Sequence, residues 1–315
     1  MLKILYNIYF LNFNHPVIDS YHTRLWIRLS NYLLAGYYTV TGRFTKKRKL
    51  PEKQSGDQKL VVSLTTFPER IENVWLVIES LLAQSHKPDA ILLWLSSGEF
   101  DGKVSLPKKL MLQEERGLQI RFCEDNLLPH KKYFYTMQEY PEANVVTVDD
   151  DVIYHPTLVE KLMECHRLYP SSICGTLLRK IEVNRNRVLP YNEWSYLRTN
   201  SEPKFENQMI GVGGVLYPAN SLHSDVFDKD SLRKFSLYTD DLWLKVMSLK
   251  KGTRIAGISG EFPRLFMPLV ITKTGRLADE NIGNNKNDKN FQRLIEYYNI
   301  SVTDFKKRGS REPAS

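Results

Sequence analysis

Apolar and polar positions change rhythm near Lys59. Leu60–Thr65 is a short, nearly continuous apolar run, which predicts a buried strand. Pro68 and Glu69 then open a helix in which Ile71, Val74, Trp75, Ile78, Leu81 and Leu82 recur every three or four residues. Residues 90–95, 118–122 and 145–148 predict three more strands, each bounded by polar or turn-forming residues. Such βαβ succession implies a mainly parallel sheet covered by helices on both faces. Ligands of these sheets bind beyond the carboxyl ends of the strands. That rule directs attention to residues 65–70, 96–97 and 149–151.

Upstream of Lys59 the pattern is helical instead. Leu25, Trp26, Leu29, Leu33, Leu34 and Tyr37 fall on one face, and the run Lys46-Lys47-Arg48-Lys49 follows. Residues 1–57 therefore read as a separate, basic amphipathic element, 58–305 as the main domain and 306–315 as a frayed tail. An aromatic amphipathic helix beside a basic cluster suits the surface of an anionic membrane; packing on the main domain is the other reading. No stretch reaches the roughly 18–20 uncharged apolar residues of a spanning helix, and the apolar opening lacks a signal-peptide layout. The expected location is cytoplasmic, peripheral on the inner membrane face.

Charge sharpens this division. The 315 residues carry a net charge of +8. Residues 1–60 hold ten Lys/Arg against three Asp/Glu, so +7 of that charge is N-terminal and the rest of the chain is nearly neutral. No basic face remains for nucleic acid. Cys123, Cys165 and Cys174 show no metal-ligand spacing and read as small core residues.

The central chemical signal is Asp149-Asp150-Asp151, directly after the fourth apolar run. Strand alternation turns Asp149 and Asp151 one way and Asp150 the other. Adjacent carboxylates repel unless cations or hydrogen-bond donors compensate. Their oxygens suit Mg²⁺ or Mn²⁺ that keeps positions open for phosphate oxygens.

Strand plus Asp149-Asp150-Asp151 resembles the DxD element of GT-A-fold glycosyltransferases. Residues 63–70 (SLTTFPER), 91–96 (ILLWLS) and 239–243 (TDDLW) are similar, in order and spacing, to family-2-like bacterial transferases of capsule and lipopolysaccharide synthesis, with a fainter likeness to exostosin-type enzymes. The likeness covers roughly residues 59–250. It implies a GT-A (Rossmann-like) mixed, mainly parallel α/β sheet flanked by helices, with the N-terminal helical extension attached.

The resemblance further implies transfer of a sugar from a nucleotide diphosphate, UDP being the commonest, to a glycan or lipid-linked acceptor. By the same resemblance Thr65, Phe67 and Arg70 lie on the nucleotide side, with Asp150 beside them. Asp151 becomes the more direct ligand of a divalent ion, and Asp149 faces the ribose or a metal-bound water. Lys131 and Lys132, beside His130, could meet the diphosphate. Gly213 and Gly214, in an apolar segment that fails the dinucleotide fingerprint because Leu216 replaces its third glycine, resemble the floor of the donor-sugar pocket.

Thr239-Asp240-Asp241 reads as a capped helix start, and the resemblance makes Asp241, then Asp240, the carboxylate that deprotonates the acceptor hydroxyl. Residues 179–205 read as a long loop whose Tyr191, Trp194 and Tyr196 suit sugar stacking. Lys273, Arg276 and residues 284–288 suggest a flap over the diphosphate. The rivals are a nucleotidyltransferase, a glycoside hydrolase and an inactive glycan- or membrane-binding adaptor. The first lacks its glycine-rich loop after the first strand, and the second needs two carboxylates set across a cleft.

Overall fold

The strand Leu60–Thr65 (β1) is buried along almost its whole length, as an apolar run flanked by parallel neighbours requires. The computed structural model describes residues 6, 21–44, 58–185, 187–261, 265–269 and 286–306. In chain order its longer elements begin with helix α1 (Tyr21–Phe44), β1, helix α2 (Val74–Leu82), β2 (Ala90–Ser96), α3 (Lys108–Glu114), β3 (Leu118–Cys123), α4 (Lys131–Glu139) and β4 (Asn144–Thr147). There follow β5 (Val152–Tyr154), α5 (Leu158–Leu168), β6 (Ile173–Gly175), β7 (Leu178–Lys180), β8 (Ser195–Leu197), β9 (Ser201–Lys204), β10 (Asn207–Met209) and β11 (Val215–Tyr217). The remainder is α6 (Lys229–Phe235), α7 (Asp240–Lys251), β12 (Ile255–Gly257), β13 (Phe266–Pro268), α8 (Lys286–Tyr297) and α9 (Val302–Lys306).

Eight strands form one sheet in the order β3-β2-β1-β4-β11-β6-β12-β9. The run from β3 to β4 is parallel, and β11 is antiparallel to both of its neighbours. The expected mixed α/β sheet flanked by helices is therefore the observed fold. Side chains of β11 alternate between its faces: Leu216 joins the core containing α2 and α5, while Val215 and Tyr217 join the core containing α4 and α7. All three cysteines are buried and free.

Three expectations change. The helix expected from Pro68 starts at Val74, after a short 3₁₀ turn over Pro68–Arg70. Residues 179–205 are not one loop, because β7, β8 and β9 run through them, and β7, β8 and β10 form a small antiparallel sheet. Helix α1 divides its apolar residues between two faces. Ile27, Leu34 and Tyr38 enter the same core as α2 and β1, whereas Leu25, Leu29, Tyr32, Leu33 and Val40 are exposed. Among the described residues no helix is long and apolar enough to cross a membrane.

Candidate functional site

Parallel pairing of β1 with β4 brings their carboxyl ends side by side, with Val148 N–H donating to Ser63 O at 3.1 Å. The segment leaving β1 thus meets Asp149–Asp151. Asp150 turns inward, as alternation requires. Its carboxylate accepts from Thr66 Oγ1 at 2.6 Å and from Arg70 Nη1 at 2.6 Å. Burial pushes the Asp150 carboxyl up, and Arg70 and Thr66 oppose that push. Arg70 also reaches Asp151 Oδ2 at 3.2 Å and lies over the Phe67 ring. Arg70 and Asp150, both expected on the nucleotide side, are paired with each other, so each buried charge has its counter-charge. They position the loop.

Asp149 and Asp151 keep side-chain exposures of 30% and 27%, against 8% for Asp150. Asp149 N–H donates to the Tyr154 hydroxyl at 2.8 Å, and that hydroxyl donates to Val212 O at 3.1 Å. Tyr154 is thus a positioning residue absent from the sequence-derived set. Its signal was a phenol ending an otherwise apolar run three residues after the aspartates.

Neighbouring residues of α4 point about 100° apart, so the two lysines separate. Lys132 Nζ sits 2.6 Å from Asp149 Oδ1 and 2.9 Å from Asp240 Oδ2, joining the loop after β4 to the start of α7. Lys131 is turned instead to Asn126 Oδ1 at 2.8 Å and Glu99 Oε2 at 3.4 Å, towards residues that follow β2 and β3. His130 is buried between Ser236 O and the Tyr133 hydroxyl. Burial drives its pKa down to about 4, so it brings no positive charge at neutral pH.

Helix α7 begins where expected, but Thr239 does not cap it through its side chain; that hydroxyl bonds Ser236 Oγ at 2.8 Å. Asp240 has its pKa lowered: burial, the largest single influence, pushes it up, and Lys132 with smaller contributions together more than offsets that push. Asp241 accepts from Gly211 N–H at 3.1 Å (Oδ1) and 3.0 Å (Oδ2). Burial first, then the Asp240 charge, pushes its pKa up to about 8. The two aspartates share one helix turn and are driven in opposite directions.

Gly211 is where these charges converge. An added Cβ would lie 2.9 Å from Asp241 Oδ1 and 3.4 Å from Lys132 Nζ. Gly213 and Gly214, the expected pocket floor, answer to internal packing. A Cβ on Gly213 would lie 2.5 Å from Thr176 Oγ1, and Gly214 has φ +88° with Leu158 against it. Thr65 donates its hydroxyl to Trp94 O at 2.8 Å. Tyr191 and Tyr196 flank Arg179, and Trp194 is buried against Phe291. Lys273, Arg276, Asn284 and Asn285 lie outside the described residues, while Asp288 accepts from Tyr191 N–H at 2.5 Å.

No group of three or more metal-type side chains occurs among the described residues. Asp149 and Asp151 nevertheless fit an ion bound through one or two carboxylates and completed by substrate phosphates, the usual manner for Mg²⁺. They do not fit an all-protein cage.

No protein-family model matches the chain, and no curated protein matches it in sequence. The solved structures similar to the chain include the following two. One is mannosyltransferase PcManGT from Pyrobaculum calidifontis in complex with GDP-Man and Mn²⁺: 12% identity, TM-score 0.47, covering 86% of this chain and 74% of that one. The other is CMP:2-keto-3-deoxy-manno-octonic acid synthetase complexed with CTP: 12% identity, TM-score 0.38, covering 64% of this chain and 89% of that one. Likeness at that level assigns no residue a role, so the reading of the site rests on its own geometry.

Proposed function

We propose that the chain is a metal-assisted glycosyltransferase that moves a sugar from a nucleoside diphosphate to an acceptor hydroxyl. The observation that carries this reading is the line Asp149–Lys132–Asp240, which joins the half-buried carboxylates of Asp149 and Asp151 at one end to the helix turn carrying Asp241 at the other. A divalent cation on Asp149 and Asp151 would neutralise the departing diphosphate. Arg70 and Asp150 hold the loop, and Lys132 bridges Asp149 and Asp240. Asp241, whose pKa is raised to about 8, accepts the proton of the acceptor hydroxyl, a general base being most effective when its pKa lies near the operating pH.

The test is nucleotide release from a panel of sugar nucleotides, UDP-linked sugars first, with and without Mn²⁺. Metal-dependent release of nucleoside diphosphate is expected. Release of the sugar 1-phosphate in place of the nucleoside diphosphate would mean nucleotidyl transfer, and no release with any donor would sink the reading.

The acceptor we propose is a growing surface polysaccharide or a lipid-linked glycan, reached from the inner face of a membrane. The support is the outward apolar face of α1, with exposed Arg28 within it and Lys46-Lys47-Arg48-Lys49 next in sequence. Apolar contact plus attraction to anionic lipid headgroups is the usual basis of such adsorption. Leu29→Glu/Leu33→Glu is expected to lower co-sedimentation with phosphatidylglycerol vesicles at least about fivefold, each buried apolar side chain contributing about 1.5–3 kcal/mol. Soluble activity should hold. Equal sedimentation of variant and wild type would remove the membrane proposal.

A further inference from the structure

Arg179 is a mostly buried cation that no carboxylate of the described residues pairs with. It is 9% exposed and forms no ion pair among the described residues. Arg70, Lys131 and Lys132 each have a carboxylate (Asp150; Glu99; Asp149 and Asp240), and the buried Lys245, which has none among the described residues, donates to the carbonyls of Phe205 and Asn207. The Arg179 guanidinium lies 4.6 Å from the Tyr191 ring centre and 4.1 Å from that of Tyr196. Nη1 donates to Tyr191 O at 3.1 Å and Nη2 to the Tyr196 hydroxyl at 2.6 Å. A guanidinium has five N–H bonds, and the Nε–H of this one is buried without a partner.

The small sheet gives Arg179 a direction. Residues directly opposite in antiparallel strands share a face, and Arg179 is opposite both Tyr196 and Gln208. Tyr196, Arg179 and Gln208 therefore make one row across three strands. At the row's end Gln208 Nε2 donates to the backbone O of Asp241 at 3.1 Å, and Gln208 Oε1 is a buried acceptor with no partner. At the other end Tyr196 is 47% exposed, so the row opens to solvent. The contacts run from Asp149 to Lys132 to Asp240, then along α7 to the Asp241 main chain, Gln208 and its cross-strand neighbour Arg179. Arg179 is thus linked through Gln208 to the first turn of α7, the turn that carries Asp241.

We infer that Tyr196, Arg179 and Gln208 form an acceptor subsite for an anionic glycan, one bearing a carboxylate or a phosphate beside the hydroxyl that is glycosylated. This rests on the transferase reading above. The guanidinium fork matches the paired oxygens of either group, and the tyrosine faces suit the attached ring.

The test fills the donor site with Mn²⁺ and the nucleoside diphosphate that binds best, then titrates methyl β-glucuronide, glucose 6-phosphate and methyl β-glucoside by calorimetry. At least one anionic probe is expected to bind tenfold or more tighter than the neutral glucoside. Preference for the glucuronide assigns a carboxylate; preference for the phosphate assigns a phosphoglycan. Arg179→Ala should weaken anion binding about 10- to 100-fold, as loss of a charge-assisted pair does. Arg179→Lys should fall between, and nucleotide affinity should be unchanged in both, which also reports an intact fold. Equal binding of all three probes, or an Arg179→Ala variant that keeps the preference, overturns the inference. So does an Arg179→Ala effect confined to UDP-glucuronate over UDP-glucose, since the anion would then belong to the donor sugar. Failure of every nucleoside diphosphate to bind would instead strike the transferase reading itself.

Discussion

Asp241→Asn is expected to lower kcat for transfer by about 10²- to 10⁴-fold, the range a positioned general base contributes. The substitution keeps one oxygen to accept from Gly211 N–H and leaves the Lys132–Asp240 ion pair in place. Nucleotide affinity and thermal stability should therefore change little. The wild-type pH profile supplies the second signature. The groups facing Asp241 are Asp240, Lys132, Asp149 and the Gly211 N–H, and their balance with burial sets its pKa at about 8. Only the ionised carboxylate can take a proton. Then kcat/KM should climb about tenfold per pH unit below that midpoint and level off above it. Steady-state kinetics between pH 5.5 and 9.5 on both proteins decide it: an Asn variant within threefold of wild type removes Asp241 from catalysis.

Asp151→Ala should reduce transfer by about 10²- to 10³-fold, because a cation neutralising the leaving diphosphate supplies several kcal/mol of transition-state stabilisation. The Mn²⁺ concentration for half-maximal activity should rise with it. Stability should be nearly unchanged, since Arg70 retains its 2.6 Å contact with Asp150. Asp150→Ala is the control with the opposite profile: it strands a buried guanidinium and should cost about 3–5 kcal/mol in urea unfolding. If Asp151→Ala keeps wild-type activity and Mn²⁺ response, the metal assignment falls.

The aspartate trio divides as its sequence alternation demands, and the four parallel strands lie where continuous apolar runs put them. Both features are local. What depends on distant partners was not legible. Nothing near Arg70 says that it will turn to Asp150, eighty residues on. Lys131 and Lys132 are equivalent in sequence, and only the rotation of α4 sends one to Asp149 and the other to Asn126. Residues 179–205 passed for a loop because β8 and β9 are three- and four-residue strands with polar, partly exposed faces, Pro203 among them. That misreading concealed Arg179, whose meaning lies in its cross-strand neighbours. Thr239 carries the sequence of a helix cap, yet its hydroxyl prefers Ser236.

Helix α1 has a practical bearing on how the protein can be handled. Its inner face contributes to the core behind α2, and Asn31 Nδ2 donates to Pro268 O at 3.3 Å. The next residue, Leu269, donates its N–H to Asp151 O at 2.8 Å. Amputating the first 45 residues to gain solubility would therefore strip a wall from the strand that braces the aspartate trio. A tractable preparation is better sought by recolouring the helix's outer surface with charge while its length is left whole.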